Sequence, residues 1–363
     1  MSSTIGHILK VSIFGQSHSE AIGCVIDGFP AGFAVDQEQL ADFMARRAPG
    51  GLPWSTPRKE ADAVRFLGGL SQGVTCGAPL AAVIENTNTR SQDYDSLKTV
   101  PRPGHADYVA QVKWKGNQDC RGGGHFSGRL TAPLCVAGGI AKQYLETLGI
   151  VCGAHLIQVG GIHGARWDSQ QVSLDQLRYA QEAVFPAEPP YDQAMIDEIV
   201  QARSEKDSVG GVIECAMVGL PVGVGQPMFD GLENRIAQIA FGIPAVKGIE
   251  FGDGFEVAGR RGSANNDPYR MVDGQVSITS NTAGGILGGI SNGQPLVFRV
   301  ALKPTPSIFL PQESVDLSTG SNTQLAIHGR HDPCLSVRAV PVVEAACCLA
   351  VLDLLLEQRL DLV

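Results

Sequence analysis

CVIDGFPAG, residues 24–32, returns later in the chain as CAMVGLPVG, residues 215–223. Cysteine, glycine, proline and the last glycine fall at the same offsets in both: Cys24, Gly28, Pro30 and Gly32, then Cys215, Gly219, Pro221 and Gly223. Each copy starts as a β-rich apolar run, breaks at a Gly/Pro turn and is followed by a helical pattern. One reading is two related halves, each a strand–turn–helix unit, packed about a pseudo-twofold. The other is that G-x-P-x-G is a common turn. The stretch ILKVSIF ahead of Gly15 extends the first copy with a second strand. VDQEQLADFMARR predicts a helix: Asp36 suits its N-cap, Leu40, Phe43 and Met44 share one face, and Arg46 and Arg47 complement its C-terminal end. TAPLCVAGGIAKQYLETLG predicts a second, capped by Thr131, with Pro133 in its first turn and Gly149 at its end. Its Gly138–Gly139 pair predicts close packing on another element. YDQAMIDEIVQARSEKD reads as a third, and an apolar helix begins near Pro341. Strict βαβα alternation is absent, so the expected class is α+β, with strands and helices in separate layers of one domain spanning residues 1–363.

The chain has 363 residues, 44% of them apolar and 18% charged, which is the range of soluble globular proteins. Its formal net charge of −9 makes nucleic acid and anionic membranes poor partners. Any clustering of arginine would therefore make a local positive site in a negative protein. Nine cysteines without a C-x-x-C pair argue against a disulfide framework and a structural zinc site. The N-terminal MSSTIGHILKVSIFG lacks the pattern of a signal peptide. The apolar run 340–356 is interrupted by Pro341, Glu344 and Asp353, as in a buried helix rather than a membrane span. A reducing cytoplasm is the expected setting.

Neither G-x-x-x-x-G-K-[ST] nor a G-x-G-x-x-G after a strand occurs, so a nucleotide is not held in the common ways. What stands out is a set of histidine and arginine islands on stiff Gly/Pro backbone. FGQSHSE carries Ser17 and His18, TPRKE carries Arg58, and PRPGHADY carries Arg102 and His105. RGGGHFSGR carries Arg121, His125, Ser127 and Arg129, LKPTPSIF carries Lys303, Thr305 and Ser307, and HGRHDPC carries His328, Arg330, His331 and Asp332. Taken singly, each histidine is more often structural than catalytic. A metal at His328, His331 and Asp332 lacks a second ligand cluster. A hydrolase using Ser17, His105 and Asp332 lacks G-x-S-x-G. Together, the islands suit a multiply charged small anion and proton chemistry on it.

Six ordered motifs carry a resemblance. FGQSHSEAIGCVIDGFPAG, RPGHADY, RGGGHFSGRLTAP, AGGILGGISNG, LKPTPSI and GRHDPCLSVRAVPVVEA together resemble the chorismate synthases, from the first strand to the final helix. The resemblance implies a β–α–β sandwich with helices between two antiparallel sheets, assembled as a homotetramer. It implies a lyase that converts 5-enolpyruvylshikimate 3-phosphate into chorismate and phosphate by anti-1,4-elimination, needing reduced FMN without net redox change. Arg47, Arg58, Arg102, Arg129 and Arg330 match positions around substrate and cofactor. His18 matches the histidine that protonates reduced flavin, and His105 the general acid near the leaving phosphate. Asp332 with Ser17 matches the pair that manages the flavin N5 proton. Flavin contacts carry over to His125, Phe126, Ser127, Pro244, Ala245, Gly288, Lys303, Pro304, Thr305, Pro306, Ser307 and Arg330, and a nicotinamide contact to Arg47. The triple glycine would let flavin and substrate approach the backbone. The reductant is either NADPH or an external flavin reductase.

The chain also departs from the commonest family pattern. HFSGRLT stands where many members have R-S-S-A-R-E-T, which puts His125 and Phe126 at an arginine and a serine. Gln16 and Ser19 replace glutamate and glycine of G-E-S-H-G, and Pro53 stands where an arginine is frequent. These changes bear on flavin affinity and nicotinamide contact and spare Ser17, His18, His105, Arg129 and Asp332.

Overall fold

The computed structural model describes residues 3–50, 52, 54–55, 62–87, 97–327, 329 and 331–360. Two five-stranded antiparallel sheets form its outer layers. The first contains β1 (Thr4–Ile5), β2 (Lys10–Phe14), β3 (Ala21–Asp27), β4 (Arg65–Gly68) and β7 (Leu80–Glu85), in the order β1-β2-β3-β7-β4. The second contains β8 (Val151–Val159), β9 (Ile162–His163), β10 (Gly211–Val218), β11 (Val246–Phe251) and β16 (Leu296–Leu302), in the order β11-β16-β10-β8-β9. Small hairpins lie outside them: β5 (Leu70–Ser71) with β6 (Val74–Thr75), β12 (Tyr269–Val272) with β13 (Gln275–Ile278), β14 (Ile286–Leu287) with β15 (Ile290–Ser291), and β17 (Gln312–Asp316) with β18 (Ser321–Leu325).

The helices are α1 (Gln37–Arg47), α2 (Asp107–Lys113), α3 (Thr131–Thr147), α4 (Leu174–Glu182), α5 (Tyr191–Ser204), α6 (Leu232–Ala240), α7 (Gly262–Asn265) and α8 (Ser336–Leu360). α3 packs on β2, β3 and β7 of the first sheet, α8 on β8 and β10 of the second, and the two helices on each other. The molecule is thus the β–α–β sandwich that the motifs implied. α3 has no polar stripe because both of its sides are covered, as expected for a helix in a middle layer. Its glycine pair sets the spacing. A Cβ on Gly138 would lie 2.2 Å from Ala345 Cβ of α8, and one on Gly139 would lie 2.7 Å from Leu40 of α1.

The echo at Cys24 and Cys215 is structural. Both cysteines are fully buried on the central strands, β3 and β10. Both turns begin with a glycine at positive φ, 79° at Gly28 and 81° at Gly219. A Cβ there would strike a backbone carbonyl, Ile8 O at 2.0 Å or Gly149 O at 2.2 Å. After each turn the chain makes one bridge to a hairpin, Ala34 to Val74 and Gly225 to Ile290, before entering α1 or α6. The order β2-β3-α1-β4-β5-β6-β7-α3 therefore recurs as β8-β10-α6-β11-β14-β15-β16-α8. Even the irregularity repeats, between Phe66 and Gly68 where β4 meets β7, and between Val246 and Gly248 where β11 meets β16.

Two local expectations need correction. Asp36 caps α1, accepting from Glu38 N and Gln39 N, but Thr131 does not cap α3. It is the first helical residue, and its hydroxyl donates to Gly128 O at 2.7 Å and accepts from Arg47 Nε at 3.1 Å. The last helix begins at Ser336, ahead of Pro341, which stands in its second turn. So early in a helix the missing N–H leaves only one carbonyl without its usual donor. α8 is long and apolar enough to cross a membrane, yet 89% of its apolar window is buried in the sandwich.

Candidate active site

The glycine-rich stretch 121–126 organises the site. Gly122, Gly123 and Gly124 all have positive φ (63°, 104° and 56°), a run that side chains do not tolerate. A Cβ on Gly122 would lie 2.3–2.6 Å from the His18 ring and Ser17 Oγ. One on Gly123 would lie 3.1 Å from His105 Nε2, and one on Gly124 2.1 Å from Asp119 O. The close approach that requires glycine here comes from the chain's own Ser17, His18 and His105. Ser17 is pinned from behind as its N–H donates to Gly124 O at 3.0 Å.

In front of this loop lies a cavity of about 540 Å³, the size of an ordinary ligand site. The β7–α3 connection contributes Arg102, His105, His125, Phe126, Ser127 and Arg129. The β16–α8 connection contributes Lys303, Thr305, Pro306, Ser307, His331 and Asp332. Arg47 enters from the end of α1, Pro244 and Ala245 from the link between α6 and β11, and Ser17 from the link after β2. His18 and Pro304 stand next to lining residues but do not themselves line the cavity. Gly288, in the β14–β15 turn, does not line it in this single chain. Arg58, His328 and Arg330 lie outside the described residues.

Charge in the cavity wall is organised by two carboxylates. Asp62, itself at positive φ (48°), bridges Arg47 Nη1 and Arg129 Nη1. Burial alone would raise its pKa, but the two guanidinium groups outweigh this and hold the carboxyl below its ordinary range. Burial lowers Arg47 to about 10, with Asp62 opposing the fall and Arg338 and Arg129 adding to it. Arg129 Nε donates to Asn86 Oδ1 at 3.0 Å, and Arg338 Nε to Arg47 O at 2.9 Å. The second carboxylate, Asp107, takes Arg102 Nε at 2.7 Å, Arg102 Nη2 at 2.8 Å and His105 Nδ1 at 2.6 Å. Arg102 Nη1 continues to Ser307 Oγ at 3.2 Å. Asp332 pairs with Arg338. Arg46, read from sequence beside Arg47 as a helix-end cation, instead makes a two-pronged pair with the buried Glu344.

The rest of the wall suits a flat aromatic cofactor. Ile243, Val246, Leu335, Ala339 and Val342 supply apolar surface, and Thr305 Oγ1 is buried there with no hydrogen-bond partner among the described residues. Lys303 Nζ donates to Gly104 O, which leaves its charge at the rim. Two of the residues that depart from the family pattern, His125 and Phe126, are anchored. His125 bonds Gly15 O at 2.8 Å and Ser3 Oγ at 2.9 Å, and Phe126 packs on Trp114 with ring centres 5.5 Å apart. Asp62, Asp107 and Arg338 were not singled out in the sequence. The H-x-D spacing of His105 and Asp107 was the one local signal available.

The family model described as chorismate synthase matches residues 9–356. The chorismate synthase of Lancefieldella parvula is 50% identical over 368 residues, covering 98% of this chain and 96% of that protein. That of Pyrococcus abyssi is 43% identical over 355 residues, covering 98% of each. A crystal structure of chorismate synthase superimposes with a TM-score of 0.77 at 26% identity, covering 98% of this chain and 93% of the other. Fold, cavity and full-length similarity agree: the chain belongs to the chorismate synthase family of lyases.

Proposed function

We propose that the cavity beside Gly122 is where this chain carries out the family reaction on 5-enolpyruvylshikimate 3-phosphate, with reduced FMN against the apolar wall. The elimination breaks one ring C–H and one ring C–O bond, releases phosphate and leaves the diene of chorismate. The observation that carries this reading is the convergence of Arg47, Arg102, Arg129 and Arg338 with His105 on one cavity of an acidic chain. Such cations hold the carboxylates and the leaving phosphate, and bidentate contacts fix the ring. His105 donates a proton toward the phosphate. His18 and Ser17, fixed against Gly122, and Asp332, paired with Arg338, handle protons on the cofactor side. Lys303, Thr305 and Ser307 would hold FMN, whose reduced form supplies transient electron density to the substrate. NADPH or a separate flavin reductase supplies the reducing equivalents for the flavin. The chain works as one domain, in a homotetramer, in the cytoplasm.

The test is anaerobic, with purified protein, chemically reduced FMN and 5-enolpyruvylshikimate 3-phosphate. Phosphate and chorismate in equal amounts, and neither with oxidised flavin, are expected. Phosphate without chorismate would replace the elimination with hydrolysis. Neither product would reject the assignment.

A further inference from the structure

We propose that Asp107 is a positioning residue that fixes the tautomer and direction of His105, so that Nε2 is the atom presented to the reaction. This deepens the reading of the cavity as the reaction site and rests on it. Asp107 is the first residue of α2 and is 9% exposed. Its Oδ2 accepts from Arg102 N at 3.0 Å and Arg102 Nε at 2.7 Å. Its Oδ1 accepts from Arg102 Nη2 at 2.8 Å and lies 2.6 Å from His105 Nδ1. Four contacts fill the acceptor capacity of a carboxylate, so the group cannot turn without losing several at once.

The remaining question is which ring nitrogen carries the proton. His105 Nδ1 faces two partners, Asp107 Oδ1 at 2.6 Å and Arg102 Nη2 at 3.1 Å. A bare Nδ1 could accept from the guanidinium but would set a lone pair against a carboxylate at the shorter distance. A protonated Nδ1 donates to the carboxylate, and Arg102 loses nothing because Asp107 already receives its Nη2. The second arrangement satisfies every group. It leaves Nε2, which lies beside Gly123, as the nitrogen that gains and loses a proton on a residue that lines the cavity. Burial alone would raise the Asp107 carboxyl, but the hydrogen bonds from Arg102 and His105 hold it far below its ordinary range, so it stays an acceptor. When Nε2 takes a proton, the ring becomes a cation 2.6 Å from that carboxylate. Buried Asp–His pairs of this kind hold a catalytic imidazole in one tautomer, and replacing Asp by Asn there lowers turnover by orders of magnitude. A purely structural Asp107, present only to favour the N-terminus of α2, would need no contact to His105.

The experiment uses the full chain with ¹⁵N-labelled histidine. The ring signals missing from His105→Ala identify His105. In the wild type, above the titration of the ring, the proton is expected on Nδ1; a proton on Nε2 would overturn the proposal without any variant of Asp107. Asp107→Asn should lower kcat by roughly 10²–10⁴-fold, and Asp107→Glu should recover at least about tenfold of that. In the His105→Ala background, Asp107→Asn should slow turnover no further. An equal loss in both backgrounds would show that Asp107 acts through Arg102 alone. If the wild type makes no chorismate, the reading of the reaction fails, while the ring-nitrogen measurement still decides the positioning.

Discussion

Asp62 has no catalytic look in the sequence, yet Arg47 and Arg129, 2% and 5% exposed, both turn to it. A carboxylate shared by two buried guanidinium groups is costly to remove because it leaves like charges facing each other without compensation. Asp62→Asn should therefore destabilise the chain by about 3–5 kcal/mol, the range for a broken buried pair. It should also raise KM for the substrate about tenfold or more, because Arg47 and Arg129 lose the aim that lets them take a carboxylate. Denaturant unfolding and steady-state kinetics on the same preparation check both; unchanged KM with lowered stability would make Asp62 structural only. The arginines themselves were legible, since clustered cations stand out in an acidic chain. Their carboxylate partners were not. With 37 Asp and Glu in the sequence, nothing local distinguishes Asp62 from the exposed majority, and its partner Arg129 lies across the fold from it in sequence. Arg338 carries no local mark either: it pairs with Asp332 on the preceding loop and also reaches the backbone of Arg47.

At the scale of an element, the composition of the loop 121–126 marks a place where close approach needs bare backbone. The structure adds a second reason for glycine, because the chain's own Ser17, His18 and His105 press on the loop. The histidine side chains come from residues 18 and 105, and no pattern within the loop names them. The consequence is a pair of contrasting substitutions. Gly122→Ala puts a methyl into Ser17 Oγ and the His18 ring at 2.3–2.6 Å, so it presses on side chains rather than on backbone. Turnover should fall about 10²-fold or more with a modest loss of stability, about 1–2 kcal/mol for the left-handed backbone. Gly124→Ala meets the carbonyl of Asp119 at 2.1 Å, which is backbone and cannot step aside. Its larger effect should be on the melting temperature. Thermal unfolding beside kcat separates the two; equal stability losses would refute this division of labour. The helices show where local reading suffices and where it does not. Asp36 capped α1 as its sequence predicts because a cap is a contact over three residues. Thr131 fails as a cap because a local carbonyl, Gly128 O, and a tertiary partner, Arg47, claim its hydroxyl.

Across the whole molecule, the repeated order of elements explains where the cavity is. Each half places a strand-to-helix connection, β7 to α3 and β16 to α8, and a helix end, α1 and α6, at the same location in its own plan. The cavity is lined by all four. Two copies of one turn motif were enough to suggest the repeat; that the site lies between the copies needed the packing of α3 on α8. The halves are also tied by buried polar contacts. Arg46 of α1 holds Glu344 of α8, and Asp353 of α8 accepts from the N–H groups of His7, Ile8 and Leu9 while pairing with Arg235 of α6 at 2.7 Å. The site and the core should therefore respond to pH together, with opposite signs at the two ends. Asp62 and Asp107 are held below the ordinary value of 3.8, so their contribution is complete above that pH and is lost as pH falls through their folded values. Cys24 on β3 and Cys135 on α3 are pushed by burial from 9.0 up to about 12. Their contribution is complete below pH 9 and is lost as pH rises toward about 12, because the unfolded chain releases those protons first. Denaturant midpoints measured across this range should form a plateau that falls at both ends. Replacing both cysteines by alanine should lower the plateau, because small cavities are left, and flatten the alkaline slope. A double variant that falls as steeply above pH 9 as the wild type would show that other groups, not these thiols, set the alkaline limit.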